Sequence, residues 1–286
     1  MKKEEIYDQI VYGGSPAAII YALIKKKQGE KVLLINNFGF LGGSITSGLN
    51  CYQEISKNKR EGYYSEFHNA IEKSSNGFLF NENNKVIINP EEMKMQSLKI
   101  LQKYEIDMLF HVNPADYKYT SDQMIELDLI AKEGMLKILC HKLIDASENL
   151  LIMKIKRRQY LRAIYNRVNI FITPPLKVSF DKNIEIINSI KLNDGRYWIS
   201  LDSSKDNIQG ENVDDIIERF NLSLKYSGAR IQLIPIEKYT YMEQNLSHAE
   251  EEANIKTLNE ILGRNYLATE QLKRAEETEN YFIQKS

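Results

Sequence analysis

The stretch Asp8-Gln-Ile-Val-Tyr-Gly-Gly-Ser-Pro-Ala-Ala-Ile19 decides how this chain is read. Residues after Gln9 are apolar up to Tyr12 and stop at Gly13-Gly14. From Pro16 to Lys27 the spacing turns helical. Ala17, Ile20, Tyr21, Leu23 and Ile24 share a face, and lysines follow. Gly29 ends that helix, as a glycine beyond the last turn does. Val32-Leu-Leu-Ile35 is then a short, wholly apolar run, suited to a central strand of a parallel sheet buried on both faces. Strand, glycine turn, helix, glycine and strand within about 30 residues is the size of a βαβ unit.

The turn is a variant of the Gly-x-Gly-x-x-Gly fingerprint. Gly13 makes the tight turn. Ser15 stands where the second glycine lets backbone approach a pyrophosphate, and Ala18 where the third permits close helix–strand packing. The helix start then offers N–H groups and a partial positive charge to phosphate. The Cβ of Ser15 narrows that approach, although its hydroxyl offers a donor. At the end of the second strand, where an acid normally accepts from the adenosine ribose, this chain has Asn36. Asparagine keeps the acceptor without the charge, and charge-assisted bonds are roughly twice as strong as neutral ones. Weak nucleotide affinity is the expectation.

The next segment is Gly39-Phe-Leu-Gly-Gly-Ser-Ile-Thr-Ser-Gly48. A strand, an acid or its substitute, then Gly-Phe-Leu-Gly-Gly with a following Thr and Gly resembles the FAD-dependent oxidoreductases with the glutathione-reductase-type nucleotide fold. Further matches follow in order. Asn89-Pro90-Glu91 opens a helix that resembles the family's Asp-Pro-Glu helix. Ile106 to His111 resembles its next strand. Leu143-Ile-Asp-Ala-Ser147 resembles the Ile-Asp-Ala-Thr-Gly-Asp strand end, with Ser147-Glu148 replacing Thr-Gly. The resemblance covers roughly the first 150 residues. It implies that Gly13, Gly14, Ser15, Pro16, Ala17, Asn36, Asn37, Gly42, Gly43, Ser44, Thr46 and Ala146 face an FAD cofactor. It also implies a Gly-rich strand and helix near the C-terminus that contact the flavin ring. No such glycines stand there, since residues 247–286 hold only Gly263.

The fold expectation is α/β: a Rossmann-like FAD/NAD(P)-binding parallel sheet with a β-meander over 115–146, plus a smaller mixed α+β domain. The divisions expected are 1–150 for the nucleotide-binding-like domain, 151–246 for the substrate-type domain, and 247–286 for C-terminal helices. In the middle part, 168–172, 177–180, 184–192, 197–201 and 230–236 read as strands and 213–226 as an amphipathic helix. Ser247 and Glu250 read as a capping box for a helix to Leu262, and a last polar helix spans 269–284.

Other chemistries are poorly supported. Gly13-Gly-Ser-Pro-Ala17 also fits a nucleophile elbow, but that needs a histidine base and an acid. The four histidines, His68, His111, His141 and His248, stand in no late strand-end loop and at no metal-ligand spacing, so no metal is expected. The basic run Lys154 to Arg162 has no aromatic series with it and reads as a solvated face. With a formal net charge of −1, neither nucleic acid nor an anionic membrane is favoured as a partner. Cys51 and Cys140 form no Cys-x-x-Cys pair; Cys51 reads as a buried thiol, with a redox role as the lesser alternative. Absence of a signal core or a roughly 20-residue apolar span places the chain in the cytoplasm as an expectation. The functional expectation is an FAD-dependent oxidoreductase, or a subunit of one completed by a protein partner, acting on a small-molecule substrate. The alternative is a cofactor-poor, non-catalytic partner that keeps the scaffold. No catalytic residue is assigned.

Overall fold

The computed structural model describes residues 5–55, 61–156, 161–174, 185–202, 213–224, 228–244, 254–266 and 270–285. The chain opens with β1 (Ile6–Tyr12), α1 (Pro16–Lys27) and β2 (Val32–Asn36), and every residue of β2 is buried. The short helix α2 (Ser44–Ser47) follows, then β3 (Tyr52–Glu54), α3 (Tyr63–Glu72), β4 (Phe78–Glu82) and β5 (Lys85–Ile88). The helix α4 (Pro90–Lys103) starts at Asn89, whose side chain accepts from Glu91 N at 3.0 Å. Next come β6 (Asp107–Phe110), β7 (Asn113–Tyr119), β8 (Ile125–Ala131) and the long β9 (Gly134–Asp145).

The main sheet runs β6-β2-β1-β9-β8-β7. Strands β6, β2, β1 and β9 are parallel, with Tyr12 paired to Ile35 on one side and to Asp145 on the other. The first half of β9 pairs antiparallel with β8, which makes the meander. The Rossmann-like parallel sheet with its β-meander is therefore present as read from the sequence. Helix α1 is buried all the way from Pro16 to Ile24 because it is covered on both sides, by the sheet and by a C-terminal helix. The buried Gln9 of β1 is satisfied by α1 and the loop that follows it. Tyr21 Oη donates to Gln9 Oε1 at 2.6 Å, and Gln9 Nε2 donates to Glu30.

After α5 (Leu151–Lys156) the chain builds a second, antiparallel sheet. Its strands are β10 (Leu161–Ile172), β11 (Glu185–Lys191) and β12 (Tyr197–Asp202), then, beyond α6 (Val213–Leu224), β13 (Ile231–Leu233) and β14 (Tyr239–Gln244). Ile216, Phe220 and Leu224 of α6 pack on Val168, Ile170, Ile199 and Leu201. The strand expected at 177–180 lies outside the described residues.

The C-terminal part departs from the sequence reading. Ser247 and Glu250 lie outside the described residues, but residues 255–257 are strand, not helix. Strand β15 (Ile255–Thr257) pairs parallel with Leu143–Asp145 of β9. The reason is the free edge of β9 beyond the end of β8: its N–H and C=O groups need partners, and Ile255 and Thr257 are buried against it. Helix α7 (Leu258–Leu262) then starts at a true capping box, Thr257 with Glu260. Helix α8 (Gln271–Lys285) lies along α1, with Phe282 edge-on to Tyr21 at 5.4 Å between ring centroids. A strand-and-helix return to the first sheet therefore exists in this chain, made without the glycines that the resemblance implies. A small sheet β3-β5-β4, not anticipated from the sequence, supports it. The buried Gln53 of β3 accepts from the first N–H groups of α8, Gln271 N at 2.8 Å and Leu272 N at 3.3 Å.

Candidate functional site: the crevice at the carboxyl ends of β1 and β9

The chain leaves β1 toward β2 and β6 on one side and reaches β9 on the other, so the sheet order reverses between β1 and β9. In open parallel sheets ligands bind outside the carboxyl ends of the strands at such a switch point. A cleft lies there, lined by Gly13, Gly14 and Ser15 after β1, Asn36 and Asn37 after β2, Gly43, Ser44 and Thr46 of the second glycine loop, and Ala146, Ser147 and Glu148 after β9. Nine of the twelve residues expected at a cofactor are thus brought to one place. Pro16, Ala17 and Gly42 are not among its lining residues.

Each position has a local cause. Gly13 has φ +123°, and a Cβ on it would lie 2.6 Å from Ser147 N and 2.8 Å from the carbonyl carbon of Ala146. Only glycine lets the connection after β9 cross this turn. Ala146 N donates to Tyr12 O at 2.8 Å and Gly13 N to Ile35 O at 2.8 Å, which fixes the three strand ends together. Ser15 is the N-cap of α1: its Oγ accepts from Ala18 N at 3.3 Å and lies 3.4 Å from Ala146 O, to which it donates. The hydroxyl foreseen as a phosphate donor is therefore engaged within the protein. The Asn36 amide likewise turns inward and donates to Phe40 O at 2.6 Å. Thr46 Oγ1 donates to Leu41 O at 3.0 Å and Gly43 O at 2.9 Å, which braces the loop.

Two acids that the sequence reading did not single out stand in the same cleft. Glu148 Oε1 accepts from Ser44 N at 2.9 Å. Burial pushes its carboxyl up to about 7, against the hydrogen bonds from Ser44 and the charge of Arg274. Glu237, which follows β13, accepts from Ser47 Oγ at 2.9 Å and is also raised by burial. Behind them Asp145 caps α5: it accepts from Ser147 Oγ at 2.6 Å, Ser147 N at 3.1 Å and Met153 N at 3.1 Å. Its carboxyl is raised by burial to about 6. The signal for Glu148 was its replacement of a glycine in the strand-end motif; what the sequence could not give was the direction of the side chain.

Cys51 is fully buried, its thiol donating to Ile45 O at 3.4 Å and pushed up by desolvation, so a redox role for it is not supported. Among the described residues no group of His, Cys, Asp and Glu is placed to hold a metal, and no helix is long and apolar enough to cross a membrane. The cleft is joined to the second sheet by a buried polar chain. Asn50 Nδ2 donates to Ser44 Oγ at 3.2 Å, and Asn169 Nδ2 of β10 donates to Asn50 Oδ1 at 2.9 Å and Gly48 O at 2.8 Å.

A parallel sheet with meander, a glycine turn into a capped helix, and a crevice at the switch point define a dinucleotide-binding-type α/β protein. The profile of the FAD dependent oxidoreductases matches residues 8–155, just over half of the chain, and the chain belongs to that family. The comparison with curated proteins finds no match. Solved structures share the fold at low identity. Aklavinone-11 hydroxylase, solved as a ternary complex with FAD and aklavinone, is 11% identical with a TM-score of 0.60. The match covers 99% of this chain and 62% of the hydroxylase chain, so this chain spans less than two thirds of that protein. A geranylgeranyl bacteriochlorophyll reductase-like protein from Thermoplasma acidophilum is 11% identical over 99% of this chain and 80% of its own, with a TM-score of 0.60. CtdE, in complex with FAD and a substrate, is 13% identical over 96% of this chain and 79% of its own, with a TM-score of 0.62.

FAD is the cofactor this family implies. The backbone of the crevice has the right elements in the right order, and Glu148 narrows the space between its two glycine loops. The cleft volume is about 40 Å³. That accommodates a few waters, whereas sites for organic ligands measure roughly 300–1,000 Å³. A Cβ at Gly43 would lie 2.5 Å from Glu148 Oε1 and 2.9 Å from Ser15 Cα, so the two glycine loops touch and the carboxylate sits at their junction.

Proposed function

We propose that this chain is an FAD-dependent oxidoreductase acting on a small organic molecule, with its dinucleotide crevice closed by its own side chains in the arrangement described. The observation that supports it best is the convergence of the Gly13-Gly14-Ser15 turn, the Gly43-Ser44 loop and Ala146 at the switch point of the sheet. A bound flavin supplies redox chemistry that side chains lack, and the protein supplies binding and orientation. In this reading Gly13 keeps the backbone of the turn accessible, Ser15 fixes the start of α1, and the Asn50–Asn169 chain holds the second sheet against the glycine loop. The second sheet is then the wall available for a substrate; aklavinone-11 hydroxylase and CtdE, which share the fold, were each solved with FAD and a substrate bound.

The other reading, a cofactor-poor partner subunit that keeps the scaffold, is favoured by one observation, the 40 Å³ cleft with Glu148 in it. The visible absorption spectrum of the purified protein, before and after excess FAD and gel filtration, separates the two. Flavin bands that travel with the protein support the oxidoreductase. A colourless protein that takes up no FAD overturns it and leaves the partner reading.

A further inference from the structure

We infer that Glu148 is a resident anion of the crevice: its carboxylate stands in the place of a dinucleotide phosphate, and a dinucleotide enters only when that side chain swings out. The inference rests on the flavin reading and adds to it a specificity-determining residue.

The argument is geometric. Glu148 lies in the connection after β9, three residues beyond Asp145, which is paired with Tyr12 at the end of β1. Its Oε1 is held by Ser44 N at 2.9 Å and is wedged against Gly43, which itself abuts Ser15 at the N-cap of α1. The groups that would meet a pyrophosphate are thus turned to a carboxylate of the same chain. Where the family-like strand end has glycine this chain has Glu148, so the obstruction is a side chain and not a change of fold. The charged groups around it are Arg274 of α8, which attracts it, and Glu237, which repels it; Lys154 of α5 acts on Glu237. A pyrophosphate placed here would add a second anion beside Glu148, and two like charges in one buried site oppose each other. Glu148 is half-buried as a residue and lines the cleft, with its carboxylate as the buried end held on Ser44 N. Its carboxyl, raised to about 7, exchanges its proton near neutral pH, which makes removal of the charge accessible in buffer.

The test compares wild type with E148Q, which keeps the size without the charge, and E148G, which removes the side chain. FAD and ADP are titrated against each by calorimetry at pH 6 and pH 8, with circular dichroism to show that each variant is folded. E148G is expected to bind both ligands at least roughly tenfold more tightly than wild type at pH 8, the equivalent of one pK unit of like-charge repulsion. E148Q falls between, and the wild type gains affinity at pH 6. Equal FAD affinity of wild type and E148G would overturn the inference and leave the flavin reading standing. A gain for FAD without one for ADP would overturn the assignment to phosphate. No binding by any of the three folded proteins would overturn both.

Discussion

Alanine at Gly13 adds one methyl group where the connection after β9 crosses the turn after β1. Its Cβ would lie 2.6 Å from Ser147 N and 2.8 Å from both Ala146 C and Ser147 Cα, and these are backbone atoms with no rotamer to yield. Gly13 also holds φ +123°, which an L side chain rarely adopts. Backbone strain of that kind costs on the order of 1–3 kcal/mol, and overpacking a close-packed site a further 1–3 kcal/mol or so. A total of about 4 kcal/mol lowers the melting temperature by roughly 8 °C or more in a chain of this size. The control is Gly29→Ala. Gly29 has φ +86° with nothing within 4 Å of its Cβ position, so it carries the conformational cost alone. That is about 1–2 kcal/mol, or roughly 2–4 °C. Thermal unfolding followed by circular dichroism gives both numbers under one buffer. A Gly13→Ala protein that melts no lower than Gly29→Ala would refute the crossing of the β9–α5 connection over the turn, and with it the juxtaposition of Glu148 and the glycine loops.

Trp198→Phe removes the indole N–H that donates to the buried Leu49 O at 2.9 Å and weakens the stack on Tyr52, so urea unfolding should show a loss of about 1–3 kcal/mol. Cys51 and Cys140 are both buried, with Cys140 raised to about 12, so a thiol reagent at pH 8 should label neither in the native protein and both in urea, read by mass. The Glu148 carboxyl has a folded value of about 7 against 4.5 for a free side chain, so the folded state holds the proton more tightly. Its contribution is complete below pH 4.5 and declines as pH rises toward 7; E148Q should lack that part of the decline in a pH series of melting temperatures, and an unchanged slope would argue against it.

Much of the fold was legible because each local signal agreed with the global one. The apolar run before Gly13, the helix ended by Gly29 and the apolar Val32–Ile35 admit few arrangements other than βαβ, and the meander follows from alternation over 125–138. The C-terminal return was not legible. Three residues, Ile255–Thr257, become a strand because the edge of β9 lies open beside them, a tertiary fact that no propensity carries. Four-residue α2 and the small β3-β5-β4 sheet fall below what periodicity resolves. In the crevice, residue types predicted where backbones converge, since glycines and the cap obey local rules. They did not predict which side chains turn inward. Asn36 and Ser15 line the crevice and also hydrogen-bond within the protein, and Glu148 lies between the loops.

The most direct measurement is a crystal structure of the E148G protein grown with FAD. The account predicts a dinucleotide whose pyrophosphate lies across Gly13–Ser15 and Gly43, in the place of the Glu148 carboxylate, with the backbone of the crevice otherwise as described. A structure with the crevice still closed, or with FAD bound elsewhere on the chain, would contradict it.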